Sequence, residues 1–138
     1  MRFVPLALCF CLSLAACDST TPEEAAAGVY RAERFRVTSG SETADILAAG
    51  GHFDVTLTDD GRFSAVLSSP DIPGIEGDEA FAASFDGTYA LRGADEVVFF
   101  HSEDLFVRDL EWSIDDGTIR TSDALDNGDR FDIVLRKE

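Results

Sequence analysis

The chain has 138 residues and carries 27 acidic against 11 basic side chains, a formal charge of −16. That length suits one well-buried domain and is too short for two. The acidic balance excludes nucleic acid as a partner, because a polyanion is repelled by such a surface.

The chain opens on a leader. Arg2 supplies a positive start, residues 3–14 are an apolar run broken only by Pro5 and Ser13, and small residues follow up to Ala16. This is the pattern of a secretion signal cleaved after Ala16, in residues 1–16. Its apolar core is shorter than the ~20 residues that a membrane-spanning helix needs. The tetrapeptide Leu14-Ala15-Ala16-Cys17 resembles the lipobox of bacterial lipoproteins, in which the cysteine receives diacylglycerol. The resemblance implies lipidation of Cys17 and attachment to the extracytoplasmic face of a bacterial membrane, in the cell envelope. The alternative is an ordinary secreted protein with a chance cysteine. Asp18 resembles the inner-membrane retention signal of enterobacterial lipoproteins, with inner and outer membrane both left open.

Cys9 and Cys11 leave with the leader and Cys17 is consumed by lipid, so the mature chain has no disulfide and depends on its core. Arg2 leaves too, so ten basic residues face 27 acidic ones and the mature charge is −17. Seventeen of the acids are Asp, and Lys137 is the one lysine. The balance resembles that of proteins adapted to salty surroundings, and equally fits a surface selected for solubility.

Residues 17–27 read as the lipidated cysteine and a flexible tether. The ten residues after Cys17 contain no large apolar side chain to offset the entropy of ordering, and they reach at most ~35 Å. From Gly28 to Glu138 the chain is written with period two. Val29 to Thr38 form an irregular first strand, because Tyr30 and Ala32 have one parity and Phe35 and Val37 the other. One inserted residue near Glu33 or Arg34, a β-bulge, reconciles them. Residues 42–49 are the helical candidate: Ser39 and Glu42 have capping-box spacing and Gly50-Gly51 stops the run.

Phe53, Val55 and Leu57 alternate with polar residues, turn at Asp59-Asp60-Gly61, and resume with Phe63, Ala65 and Leu67, which is a hairpin. Phe81, Ala83, Phe85, Gly87, Tyr89 and Leu91 make one long strand, with a barrel-corner bend expected at Gly87. After Gly93-Ala94-Asp95 comes the strand Glu96 to Phe100, in which Val97-Val98-Phe99-Phe100 is apolar on both parities and so is expected to be covered outside as well. Phe106, Arg108, Leu110, Trp112 and Ile114 share a parity and read as the next strand, with a turn at Asp115-Asp116-Gly117. Ile119 and Thr121 follow, and Phe131, Ile133 and Leu135 close the chain.

The fold expected is all-β: an up-and-down antiparallel barrel of about eight strands with one short helix after strand one, since closure leaves no exposed edge. A β-sandwich is the alternative. Gly28-Val29-Tyr30, the short helix, and a meander ending in Arg136-Lys137 resemble the lipocalin, or calycin, arrangement. The stretch from Gly87 to Phe99 also looks like one that recurs in small lipocalin-like bacterial lipoproteins. What this resemblance implies is a binding cup, not a catalyst.

Chemical motifs are sparse. His52 with Asp54 and His101 with Glu103 have two-residue ligand spacing, but each pair stands alone where zinc needs three or four ligands, so no metal site is assigned. No nucleophile elbow accompanies the Ser, His and Asp present. The acidic turns lack the spaced loop used for calcium and are explained by turn formation. The long connection from Ser68 to Glu79 is a candidate lid at a barrel mouth. Arg108, the one charge in an inward run, is the candidate ligand-binding residue, its planar fork suited to a carboxylate; an ion pair with Asp104 or Asp109 is the structural reading.

The expected function is therefore non-catalytic binding of a lipophilic small molecule or an envelope component by a lipid-anchored protein, with no cofactor. The alternative is a structural or protein-interaction module whose core is filled by Phe53, Phe63, Phe85, Tyr89, Phe99, Trp112 and Phe131. The interior volume discriminates between them.

Overall fold

Among the residues described by the computed structural model, 20–71, 80–102 and 106–138, nine strands form one antiparallel sheet. The first strand, β1 (Gly28–Ser39), organises it. Its opening residues pair with β3 (His52–Leu57), its far end pairs with β2 (Glu42–Asp45), and its other edge pairs with β9 (Arg130–Lys137). The β1–β9 ladder closes β1 and β3 to β9 into an eight-stranded barrel, with β2 a short return beside β1. The register slips between Ala32 and Arg34, where Glu33 is the extra residue. This bulge restores Phe35 to the inner face after Tyr30 and thereby carries one strand around the closure.

The hairpins follow their turn chemistry. In β3 and β4 (Arg62–Ser69), Leu57 faces Phe63 across the turn, where Gly61 has φ 79°. Between β7 (Trp112–Asp115) and β8 (Thr118–Ala124), Asp116 and Gly117 have φ values of 42° and 69°. Two successive positive angles define the two-residue hairpin turn whose twist matches the strands.

The long strand β5 (Phe81–Arg92) pairs with β4 up to Thr88 and with β6 (Glu96–Phe100) from Thr88 onward. Gly87 sits at that handover. A Cβ there would fall far inside van der Waals contact with the Phe100 carbonyl oxygen and 2.9 Å from Phe63 Cε1. Absence of a side chain is what lets the two strands approach.

Four expectations are corrected. Ser39 and Glu42 do not cap a helix; they face each other across a tight turn, and residues 42–45 pair with β1. The three-residue spacing that serves a capping box serves a two-residue hairpin equally well. A single helical turn follows, with Ala49 N–H donating to the Asp45 carbonyl (3.1 Å). Second, part of the expected tether is folded: Pro22–Ala26 is a short helix, α1, whose Thr21 and Glu24 form a reciprocal capping box.

Third, the run from Phe106 to Ile114 is not one strand. Phe106–Arg108 is a 3₁₀ turn and β7 begins only at Trp112. The turn directs both Phe106 and Val107 at the core, which strict alternation cannot do. Fourth, the outer side of β6 is not covered, since Val98 is half-buried and Phe100 is 46% exposed.

β6 and β7 pair through only two residue pairs, Glu96 with Ser113 and Val97 with Trp112. Beyond them the wall is completed by the connection carrying Val107 and Leu110, both buried. The Trp112 indole Nε1–H fastens it by donating to the Val107 carbonyl.

Candidate functional site

A lipocalin-like cup would hold its ligand inside the barrel, and in this chain rings occupy that space. Phe35 contacts Phe53 (centroids 6.0 Å apart), Phe53 contacts Trp112 (6.3 Å), Trp112 contacts Phe99 (5.8 Å), and Phe99 contacts Phe63 (4.9 Å). Phe63 continues the series to Phe85. All seven aromatic side chains expected to point inward are buried. Eight strands enclose little more than side chains can fill, and here tilted and edge-on rings with Leu67, Ile119, Ile133 and Leu135 fill it.

Both ends are covered. At one, α1 lies across the opening with Ala26 6% exposed, and the Tyr30 hydroxyl donates to the Ala26 carbonyl (2.6 Å). The Tyr89 hydroxyl donates to the Thr58 carbonyl (2.7 Å), and Lys137 Nζ donates to the Ala25 carbonyl (3.1 Å). Burial pushes both phenols above the ordinary tyrosine range, and for Tyr89 the nearby Glu23 adds to the rise. At the other end Phe106 stacks on Phe131 at 4.4 Å and meets Phe35 at 6.1 Å.

Arg108 does not point into the barrel. It ends the 3₁₀ turn with its side chain 40% exposed, and Nε donates to Asp109 Oδ1 at 2.9 Å. The structural reading of this residue therefore has the geometry on its side, and the inward position that recommended it for a ligand carboxylate is gone.

Of the other candidates, His52 faces outward and its Nδ1 bonds Ser68 Oγ (2.7 Å), while Asp54 pairs with Arg31. His101 packs against Phe85 and Phe63. Cys17, Glu103, Asp104 and most of the expected lid, residues 72–79, lie outside the described residues. Asp60 and Asp123 serve local structure. Hydrogen bonds hold their carboxyls below the ordinary range, from Thr58 for Asp60 and from the Ala124 and Glu111 amides for Asp123.

Two concavities stand out that alternation alone does not reveal. A groove of about 710 Å³ runs over the outer face beside the short β6–β7 seam, lined by Arg34, Glu96, Ser113, Arg120 and Asp132 among others. Its side chains are mostly polar and of both signs. A cleft of about 630 Å³ lies at the α1 end, walled by Ala25, Ala26, Tyr30, Leu91 and Ile114 and rimmed by Asp115 and Asp116. Both form where elements of different length meet, a property of topology and not of residue pattern.

Comparison with protein-family models, with curated proteins and with solved structures finds no match. The barrel architecture and the surfaces above are what bear on function.

Proposed function

We propose that the chain is a non-catalytic, lipid-anchored protein of the bacterial cell envelope that binds an envelope component through the outside of a filled barrel. The observation that carries this reading is the series of rings from Phe35 to Phe85, which occupies the place of a ligand. An interior packed in this way stabilises a scaffold and leaves recognition to loops and outer faces. Attachment rests on Cys17 and the leader before it. Several acyl chains, each contributing ~0.8 kcal/mol per buried methylene, make such attachment effectively permanent.

A second reading has one observation in its favour. The apolar walls of the α1 cleft would suit a small lipophilic molecule, and its volume lies within the usual range of ligand sites. Titration of the purified mature domain with a fluorescent fatty acid separates the two. Absence of saturable binding supports the interaction module, and saturable binding weakened by Ala26→Phe supports the cleft. For the anchor, Cys17→Ser is expected to abolish fatty-acid labelling and membrane fractionation. Retention of both would sink the lipobox assignment.

A further inference from the structure

We propose that the α1 end of the barrel faces the lipid surface, so that the opposite end, with the β1–β2 and β8–β9 turns, is the one presented to partners. The proposal rests on the lipid anchor at Cys17. It adds an orientation that the anchor alone does not give, because a ten-residue flexible tether would let the domain tumble.

The tether is shorter than its composition implies. α1 begins at Pro22 and is fixed to the barrel through three strands: Tyr30 of β1 and Lys137 of β9 bond its carbonyls directly, and Tyr89 of β5 packs beneath with its hydroxyl 3.4 Å from the Glu23 carbonyl. The capping box of Thr21 and Glu24 holds the first turn. Three residues, 18–20, therefore separate the lipidated cysteine from the capped helix, and the four steps of chain from Cys17 to Thr21 reach about 14 Å at full extension. The barrel wall is longer than that, since an eight-residue strand such as β9 spans ~26 Å. Chain of this length cannot bring the far end to the bilayer without detaching α1.

The turns that share the α1 end are fixed by register. Gly28 faces Leu57, which places the Thr58–Gly61 turn there, and Lys137 N–H donates to the Gly117 carbonyl, which places the β7–β8 turn there. Gly93 and Ala94 line the same cleft as α1. Asp59, Asp60, Asp95, Asp115 and Asp116 on these turns are exposed, so anionic headgroups repel this face. The repulsion decays over a Debye length of about 8 Å at physiological salt, less than the tether's reach. The domain then stands just off the bilayer in a defined orientation and does not bury itself in it.

Because lipidation consumes the Cys17 thiol, one introduced cysteine on the mature lipoprotein labels uniquely. Ala94→Cys at the α1 end and Asn127→Cys at the far end, both exposed, are each labelled with a fluorophore in vesicles carrying nitroxide headgroup lipids. Quenching is expected to be several-fold stronger at position 94 than at 127, and the difference is expected to collapse when ten Gly-Ser residues are inserted after Asp18. Equal or reversed quenching on protein that floats with the vesicles would overturn the orientation alone. Failure to float would overturn the anchor and the orientation together.

Discussion

The Trp112 indole donates a 2.8 Å hydrogen bond to the Val107 carbonyl, five residues earlier in the chain. This bond crosses the gap left by the two-pair β6–β7 seam and holds the 3₁₀ turn whose geometry sends Arg108 outward. Trp112→Phe keeps most of the ring in the core but leaves the carbonyl without its donor. A loss of ~1 to 3 kcal/mol is expected, the cost of an unsatisfied buried acceptor, read by urea unfolding followed through circular dichroism. A change below ~0.5 kcal/mol, the scale of inconsequential substitutions, would mean that packing alone holds the turn.

Gly87 is expected to tolerate no side chain. Gly87→Val drives carbon into the Phe100 carbonyl and against Phe63, and the expected cost is at least the ~1 to 3 kcal/mol typical of overpacking. Thr88→Val, on the exposed side of the same strand, should leave the unfolding midpoint nearly unchanged. Equal losses at the two positions would contradict the inner-face assignment of the strand.

Thr121 offers a test of opposite sign. Its side chain is buried, and Oγ1 has no hydrogen-bond partner among the described residues. Replacement of an unpartnered hydroxyl by a methyl of similar volume removes a desolvation cost without breaking a bond. Thr121→Val is therefore expected to be neutral or to stabilise by about 1 kcal/mol. Clear destabilisation in thermal unfolding would reveal a partner for the hydroxyl.

The two tyrosines of the chain, Tyr30 and Tyr89, both have raised pKa values in the folded protein, with burial the leading cause. The unfolded phenols ionise near their ordinary value of about 10, so the native state holds protons that the unfolded state has released. Their contribution to stability is fully present below pH ~10 and is lost as pH rises through the folded values. Tyrosinate absorbance is expected to stay flat through pH ~10 and to rise together with loss of the circular dichroism signal. A separate ionisation step before unfolding would show that one phenol is open to water.

Much of the barrel was legible because its signals are local. The parity flip around Glu33 announced the bulge, and Asp116-Gly117 announced its hairpin. The misread elements share a cause: patterns with two structural solutions. Ser39 and Glu42 fit a capping box or a tight hairpin, and cross-strand bonding of Thr38 with Thr43 decides between them. Phe106, Leu110 and Trp112 fit one strand parity, yet Val107 is apolar on the other parity and Arg108 is charged on the inner one, and a 3₁₀ turn satisfies both. Thr21-Pro22-Glu23-Glu24 carried a helix start, with a cap, a first-position proline and the glutamate partner. It was hidden because only alanines follow, and the burial of Ala26 depends on Tyr30 of the next strand and on Tyr89 of a distant one. For the candidate site, Arg108 was legible as an unusual residue but not as an outward one. The groove and the cleft depend on strand lengths and had no sequence signal.

The ladder between β1 and β9 also sets the order of assembly. It joins residues about a hundred positions apart, Tyr30 with Lys137 and Thr38 with Arg130, so the first strand to emerge must wait for the last before its edge is satisfied. Contacts of such long sequence separation form slowly. Until β9 arrives, β1 and β8 both present open edges of the kind that recruit strands from other chains. A chain clipped before Arg130 would therefore expose two adhesive edges at once, and a proteolytic nick near its C-terminal end would be more damaging than one in any single hairpin turn.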